Sequence, residues 1–203
     1  MRNTTFETNR GEELKFYITE TRKQKECPTQ KLVIDAYIKN RKSIFCRSYR
    51  YAGRLESFFY PKTYMGNRDK AYLARNIDSR GFELRPINEE DYMQVPYSYL
   101  GLVEVSDNEQ QKGIGSTMLE MQDYLFAKYV DKLYGDEDSV IRGIFMPFVY
   151  ENRLLTEKFY RKNGYDFVDS RLDLFKDIKP SEVLSNPKNE RYEGMKIEEV
   201  REF

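Results

Sequence analysis

Histidine and tryptophan are absent from this chain of 203 residues, and cysteine is scarce. Without histidine, the chain cannot build a Cys-His or Ser-His nucleophile pair or a histidine-based metal site. The two cysteines, Cys27 and Cys46, do not suggest the disulfide framework of a secreted protein, and their spacing matches no zinc motif. A proton acceptor must therefore be a carboxylate, a tyrosine, a lysine, a cysteine or a relayed water, and no metal site is predicted.

An excess of charge and a long apolar run are also missing. Lys+Arg and Asp+Glu each number 34, so no net field draws the chain towards nucleic acid or a membrane surface. No apolar run approaches the roughly 18 residues of a membrane span, and Met1–Thr5 does not open a signal peptide. These absences predict no nucleic-acid partner, no membrane partner and a cytoplasmic location.

A glycine loop, Gln110–Gly115, lies between two segments of opposite periodicity. Before it, Tyr97–Val105 reads as an apolar strand; after it, Ser116–Tyr134 has the helical spacing of apolar residues. Glycines let the backbone approach a ligand closely, and the first N–H groups of a helix have no partner within the helix. The arrangement favours binding of a phosphate group, although a helix-opening turn without a ligand would look similar. The residues of this cradle are Gln110, Gln111, Lys112, Gly113, Ile114, Gly115 and Ser116.

The spacing within the loop excludes two common phosphate motifs. A Walker loop requires a lysine after its last glycine, but Ser116 follows Gly115 directly. A dinucleotide fingerprint requires a third glycine where Met118 stands. The pattern that remains is Gln-x-x-Gly-x-Gly.

A second motif lies within Glu151–Phe167. Its helix ends in Phe159 and Tyr160, and Gly164 follows four residues after the tyrosine, where a left-handed residue commonly ends a helix. Both motifs, in this order, resemble those of the GNAT superfamily of acetyl-CoA-dependent N-acetyltransferases over about residues 95–177. The resemblance implies an α/β (α+β) fold whose mixed, mostly antiparallel central sheet is splayed at the cofactor site and flanked by helices.

The resemblance also implies how acetyl-CoA, the co-substrate, is bound. The glycine loop would hold the pyrophosphate, and the pantetheine arm would pair with exposed main chain of the splayed strand at Leu102, Val103 and Val105. An asparagine near the start of the second helix contacts the cofactor in the family, and Asn152 lies one residue from that position. Asn152 could equally cap the helix. Lys112 could attract the phosphates or lie exposed in solvent.

Catalytic residues follow in the same way. Tyr160 occupies the family position of the general acid that protonates the leaving thiolate, and a backbone N–H near Val103 would stabilise the oxyanion. Glu104, on the motif strand, is the candidate base. Tyr99 stands where some members of the family carry a glutamate, which argues against a direct carboxylate at that position. A water relay would need neither residue.

The N-terminal half departs from the family pattern. Strands are predicted over Leu14–Thr19, Lys31–Ile38 and Ile44–Tyr51, and only about eleven polar residues separate the first two, where the family usually has two helices. The predicted organisation is therefore one domain, residues 1–178, with a divergent half (1–90), a cofactor-binding core (95–177) and a charged extension (179–203). The extension is expected to be a peripheral appendage, with a last strand near Met195–Ile197 as the alternative.

The predicted activity is direct transfer of an acetyl group from acetyl-CoA to a primary amine of a small molecule or a protein. The alternative is a non-catalytic GNAT-fold module that binds coenzyme A or another protein. A homodimer is possible in either case.

Overall fold

The antiparallel half of the sheet comes first in the chain. In this computed structural model, β1 is Phe6–Glu7, β2 is Glu13–Lys23, β3 is Gln30–Lys39 and β4 is Tyr49–Tyr60. Each strand pairs antiparallel with the next. The structure describes residues 6–23, 30–39, 48–60, 96–144, 153–167, 173–195 and 197–202.

Strand β3 shows why this half forms a sheet. Its burial alternates strictly along the strand, because Leu32, Ile34 and Ile38 point into the core while Asp35 and Tyr37 between them point outwards. Six residues, 24–29, separate β2 from β3, fewer than the roughly eleven expected between these strands. The departure of the N-terminal half from the family pattern stays a prediction.

The rest of the chain mixes helices and strands. Strand β5 is Tyr97–Val105, and after a 3₁₀ turn at Asp107–Glu109 the long helix α1 covers Ile114–Tyr134. The elements that follow are β6 (Ser139–Ile144), helix α2 (Arg153–Lys162), β7 (Asp166–Phe167) and β8 (Asp173–Ile178).

One sheet contains all of these strands, in the order β1-β2-β3-β4-β5-β6-β8-β7. Pairing along this order is antiparallel except between β5 and β6, which run parallel. Helix α1 packs on one face, where Met118, Leu119 and Phe126 are fully buried in the core. The predicted class, a mixed and mostly antiparallel sheet flanked by helices, is confirmed.

The C-terminal residues pack against α1 and then join the sheet beside β2. A short helix, α3 (Pro180–Leu184), and a 3₁₀ segment, Pro187–Tyr192, pack against α1. The last strand, β9 (Ile197–Glu202), pairs in parallel with β2. The expected peripheral appendage is therefore wrong, and the alternative of a last strand is correct.

Three sequence expectations need comment. The predicted strand Ile44–Tyr51 is shifted, because β4 begins at Tyr49 and continues to Tyr60. Residues 61–95 and both cysteines lie outside the described residues. Within the described ranges, no helix combines the length and apolar character that crossing a membrane requires.

Candidate active site

Helix α1 begins without a side-chain cap. Gly113 precedes it in the left-handed conformation, with a φ of 84°, and no side chain accepts a hydrogen bond there. The carbonyl of Gly113 accepts the first helical bond, from the N–H of Thr117 at 3.0 Å. Among the hydrogen bonds of the described residues, none uses the N–H of Ile114, Gly115 or Ser116 as donor. These three groups are the open donors of an uncapped helix start, the kind of position at which anions commonly bind in proteins.

The strand that leads into this position loses one of its neighbours halfway along. β5 pairs with β6 only from Tyr97 to Leu100, where Leu100 lies opposite Gly143. Its distal half, Leu102–Val105, has no partner on that side among the described residues, although it remains paired with β4 on the other. In the described part of the chain, pairing between β5 and β6 therefore ends at Leu100.

A bulge in β5 lies where its pairing with β6 ends. The register between β4 and β5 shifts at Glu56/Ser57, so that Gly101 is the extra residue on β5. Ser57 fixes this point: its Oγ lies 2.7 Å from Ser98 Oγ, and it donates to the carbonyl of Tyr99 at 3.2 Å. Gln122 of α1 donates to both serines, at 3.1 and 3.2 Å. This fully buried polar cluster holds helix and bulged strand in one register.

The bulge sets which way the side chains of the distal half face. Val103 and Val105 pack against the core, whereas Leu102 is 37% exposed and Glu104 is exposed on the opposite face. In the register, Glu104 lies opposite Arg54 of β4. The candidate base is therefore a solvated carboxylate, open only to an acceptor that approaches the face away from α1.

The two sequence motifs are in contact. A β-carbon on Gly115 would lie 3.0 Å from Phe159 Cζ of α2 and 3.4 Å from Val105 Cγ2. Gly115 thus lies where the glycine loop, β5 and the second motif meet. The close packing leaves little room for a side chain at this position. Phe159 belongs to the second motif, but its position in the sequence alone predicts no function for it.

Helix α2 ends as predicted. Gly164 has a φ of 82°, its N–H donates to Arg161 O at 3.0 Å, and the N–H of Tyr165 donates to Tyr160 O at 3.1 Å. This bond pair defines the Schellman motif. The predicted C-cap is confirmed, and it fixes Tyr160 in the last turn of the helix.

Tyr160 is almost completely buried, at 9% exposure, and its ring packs edge-on against Tyr165, with ring centroids 5.6 Å apart. Burial raises the pKa of Tyr160 to about 12. At neutral pH the side chain therefore carries its proton, which is the state required of a general acid. Asn152 lies outside the described residues.

The first three residues of the glycine loop are held by the protein itself. Gln110 is exposed and donates to Asp107 Oδ1 at 3.0 Å. Gln111 has a φ of 60°, a left-handed conformation that is uncommon for glutamine. Lys112 is buried, and its Nζ lies 2.9 Å from Glu12 and 2.8 Å from Glu109. Neither expectation for the lysine side chain, phosphate attraction or free exposure, describes this buried ion pair.

No model of a known protein family matches the sequence, and no curated protein matches it. Similar solved structures include AtaTR bound with AcCoA, at 11% identity and a TM-score of 0.43, covering 76% of this chain and 73% of the other. A KacTA–DNA complex has 11% identity, a TM-score of 0.41 and coverage of 75% and 70%. AtaT complexed with acetyl-methionyl-tRNAfMet has 11% identity, a TM-score of 0.40 and coverage of 76% of each chain. At such low identities the likeness concerns the overall fold.

The predicted absence of a nucleic-acid partner is corrected by these structures. Two of the similar proteins are described with DNA or with an acetylated methionyl-tRNA, so a chain of this kind does not exclude nucleic acid. The physical reason lies in the net charge, which sums the whole surface and says nothing about local basic patches. The restriction of the acceptor to a small molecule or a protein falls with it.

Proposed function

We propose that this chain is an acetyl-CoA-dependent N-acetyltransferase that transfers the acetyl group directly to a primary amine. One observation carries the proposal: the uncapped start of α1 follows, after one short loop, the half of β5 that pairs with β4 alone among the described residues. A cradle for phosphate and a strand edge for an amide-bearing arm thus lie end to end. Coenzyme A carries these two chemical groups in this order.

In the proposed complex, the N–H groups of Gly113, Ile114, Gly115 and Ser116 face the pyrophosphate. The main chain of Leu102, Val103 and Val105 pairs with the pantetheine arm, which places the thioester towards Leu100 and Gly101, where the described pairing of β5 with β6 ends. A backbone N–H near Val103 then stabilises the oxyanion.

The transfer needs no covalent enzyme intermediate. The amine nitrogen bonds to the thioester carbon, the C–S bond breaks, and Tyr160 gives its proton to the departing thiolate. The amine loses its proton to water or, for an acceptor on the outer face, to Glu104. The absence of histidine excludes a Cys-His or Ser-His nucleophile pair, which favours this direct route.

Ligand-linked stabilisation tests the cofactor claim. Acetyl-CoA at about 100 times its dissociation constant stabilises the fold by about 2.7 kcal/mol, which raises the melting temperature of a chain of this size by roughly 5 to 10 °C. Coenzyme A should act similarly. No shift with either compound would rule out the proposed site.

Thiol release then tests catalysis. Acetyl-CoA should release free thiol when the correct amine is present, and the acceptor panel should contain small amines, peptides and aminoacyl-tRNA. A thermal shift without thiol release for any acceptor would support the non-catalytic, coenzyme A-binding alternative.

A further inference from the structure

The turn between β1 and β2 contacts the glycine loop, although more than 100 residues separate them in sequence. Asn9, at the tip of this turn, donates from its main-chain N–H to Lys112 O at 3.1 Å. Its side-chain Nδ2 donates to Gln111 O at 2.9 Å. One residue therefore binds two consecutive carbonyls of the loop.

The orientation of those carbonyls determines where the neighbouring N–H groups point. In a trans peptide the C=O and N–H groups point in opposite directions. Because Gln111 O and Lys112 O are turned towards Asn9, the N–H groups of Lys112 and Gly113 are turned away from it. They join the open N–H groups at the start of α1.

The loop backbone is unusual at the residue that Asn9 holds. Gln111 is the one non-glycine residue with positive φ in the described part of the chain. Such a conformation persists where surrounding contacts impose it, and it is often found at ligand-binding sites. The bond from Asn9 Nδ2 is such a contact.

The turn that presents Asn9 is itself well held. Thr8 is buried, and its Oγ1 accepts from the N–H of Arg10 at 3.2 Å and from that of Glu12 at 3.0 Å. The N–H of Gly11 donates to Thr8 O at 2.9 Å. Asn9 is therefore fixed before any ligand arrives.

Side chains fasten the same two segments a second time. The Lys112 ammonium pairs with Glu12 of the turn and with Glu109, which also pairs with Arg50 of β4 at 2.5 Å. Hydrogen bonds to Glu109 and Glu12 raise the pKa of Lys112. Burial alone would raise the pKa of Glu109, but bonds from Lys112 and Arg50 hold it below the usual value. Both directions favour the charged forms of Lys112 and Glu109.

We propose that Asn9 is a positioning residue for the cofactor: by holding the carbonyls of Gln111 and Lys112, it aims the loop N–H groups at the pyrophosphate. This rests on the proposed function, since the pyrophosphate is that of acetyl-CoA. The residue would touch the loop rather than the ligand, and its contribution would be confined to the phosphate-bearing part of the cofactor.

Two substrates isolate that part. Acetyl-CoA carries the pyrophosphate, whereas acetyl-pantetheine offers the same thioester and arm without it. In the full-length protein, Asn9→Ala removes one hydrogen bond and should raise the KM and dissociation constant for acetyl-CoA about 3- to 10-fold. The kcat should stay within about twofold, and kcat/KM for acetyl-pantetheine should not change.

Asn9→Asp sharpens the test, because it keeps the shape, removes the donor and sets a carboxylate beside the phosphates. The rise with acetyl-CoA should then exceed about 10-fold. Asn189→Ala is the matched control: its Nδ2 donates to Val183 O at 2.8 Å in the C-terminal segment, so it loses an equivalent bond away from the loop. Kinetics with acetyl-CoA should be unchanged in that variant.

The outcomes separate the two claims. If the wild type shows no binding of acetyl-CoA, the proposed function fails and this inference with it. If the wild type prefers acetyl-CoA to acetyl-pantetheine but Asn9→Ala behaves like wild type, the inference alone is overturned. Equal losses with both substrates would also overturn it, because they would indicate general destabilisation.

Discussion

The two halves of the sheet are built by different rules. From β1 to β4 the strands pair antiparallel along most of their length, and β5 keeps β4 as a neighbour throughout. On the other side of β5, the pairing with β6 that the described residues show ends after Leu100. The continuous half thus has paired strands along its length, whereas in the interrupted half the main chain of Leu102–Val105 has a described partner only in β4. A binding site at a place where pairing stops keeps the cost of its open backbone groups local.

The polar interactions of the halves differ as well. On the outer face of the continuous half, Arg54 and Asp35 form a half-exposed pair, and Tyr17, Tyr37 and Tyr51 make edge-on ring contacts. In the interrupted half, Lys176 and Asp123 form a pair at 2.6 Å whose side chains are 22% and 10% exposed. Substitutions on the outer face of the continuous half should therefore change stability alone. Substitutions in the interrupted half should change stability together with cofactor binding or catalysis.

The largest effect is expected at Tyr160. Tyr160→Phe removes the proton donor and keeps the ring, so kcat should fall about 100- to 10,000-fold, the usual range for a general acid. The thermal shift with acetyl-CoA should remain. Tyr124→Phe is the control, because Tyr124 is also buried on a helix, with its ring against Tyr192. An unchanged rate in Tyr160→Phe would exclude the tyrosine as the acid.

A pH-dependent effect is expected next, at Asp123. Burial raises the pKa of Asp123 to about 6 from 3.8, although Lys176 opposes the change. The folded state thus binds this proton more tightly than the unfolded state does. The stabilisation from this proton is complete below about pH 4 and is lost as the pH rises through 6. The contribution to the free energy of unfolding falls by about 3 kcal/mol over that range.

Asp123→Asn cannot titrate, so the wild-type free energy of unfolding minus that of the variant should fall between pH 4 and 7, as measured with urea. Asp136→Asn provides a control of opposite sign. Hydrogen bonds from Ser181 lower the pKa of Asp136, so its stabilisation is present at neutral pH and is lost on acidification. A difference for Asp123 that does not depend on pH would contradict the prediction.

Two glycines allow a direct comparison of the halves. A β-carbon on Gly53 would lie 2.4 Å from Glu104 O, a backbone atom, whereas one on Gly115 would lie 3.0 Å from the Phe159 ring. Gly53→Ala should cost about 2 kcal/mol of stability and reduce the response to acetyl-CoA only in part, because the Glu104 carbonyl that must shift lies on the β4 side of β5. Gly115→Ala should cost about 1 kcal/mol and lose most of that response. Urea unfolding with and without acetyl-CoA measures both quantities, and equal ligand responses would refute the distinction.

Local signals made the interrupted half predictable from sequence. The glycine loop, the periodicity of α1 and the spacing of Tyr160 and Gly164 each depend on residues close together in the chain. The resemblance added the order of the elements and the splay. Contacts between distant segments could not be predicted: nothing in the sequence near Lys112 indicates that Glu12 binds it, or that Asn9 holds the preceding carbonyl.

Within the continuous half, β4 was harder to predict because its alternation is broken. Ser57 occupies a core position of β4 and is satisfied there by Ser98 and Gln122, so the apolar pattern of a strand fails at that residue. Register shifts between Ala36 and Tyr37 and between Glu56 and Ser57 interrupt the period again. The last strand, β9, was only the alternative prediction, because its parallel pairing with β2 joins segments from opposite ends of the chain.

The smallest effect is expected on the outer face of the continuous half. Arg54 donates to both carboxylate oxygens of Asp35, at 2.7 and 3.0 Å, but the arginine side chain is 41% exposed. A double-mutant cycle with Arg54→Met and Asp35→Asn should give a coupling of about 0.5 to 1 kcal/mol, and salt should reduce it further. The matching cycle of Lys176→Met and Asp123→Asn should give a larger coupling that salt reduces less, because those side chains are only 22% and 10% exposed. Equal coupling free energies in the two cycles would show that the burial of charged pairs does not differ in its effect between the two halves of the sheet.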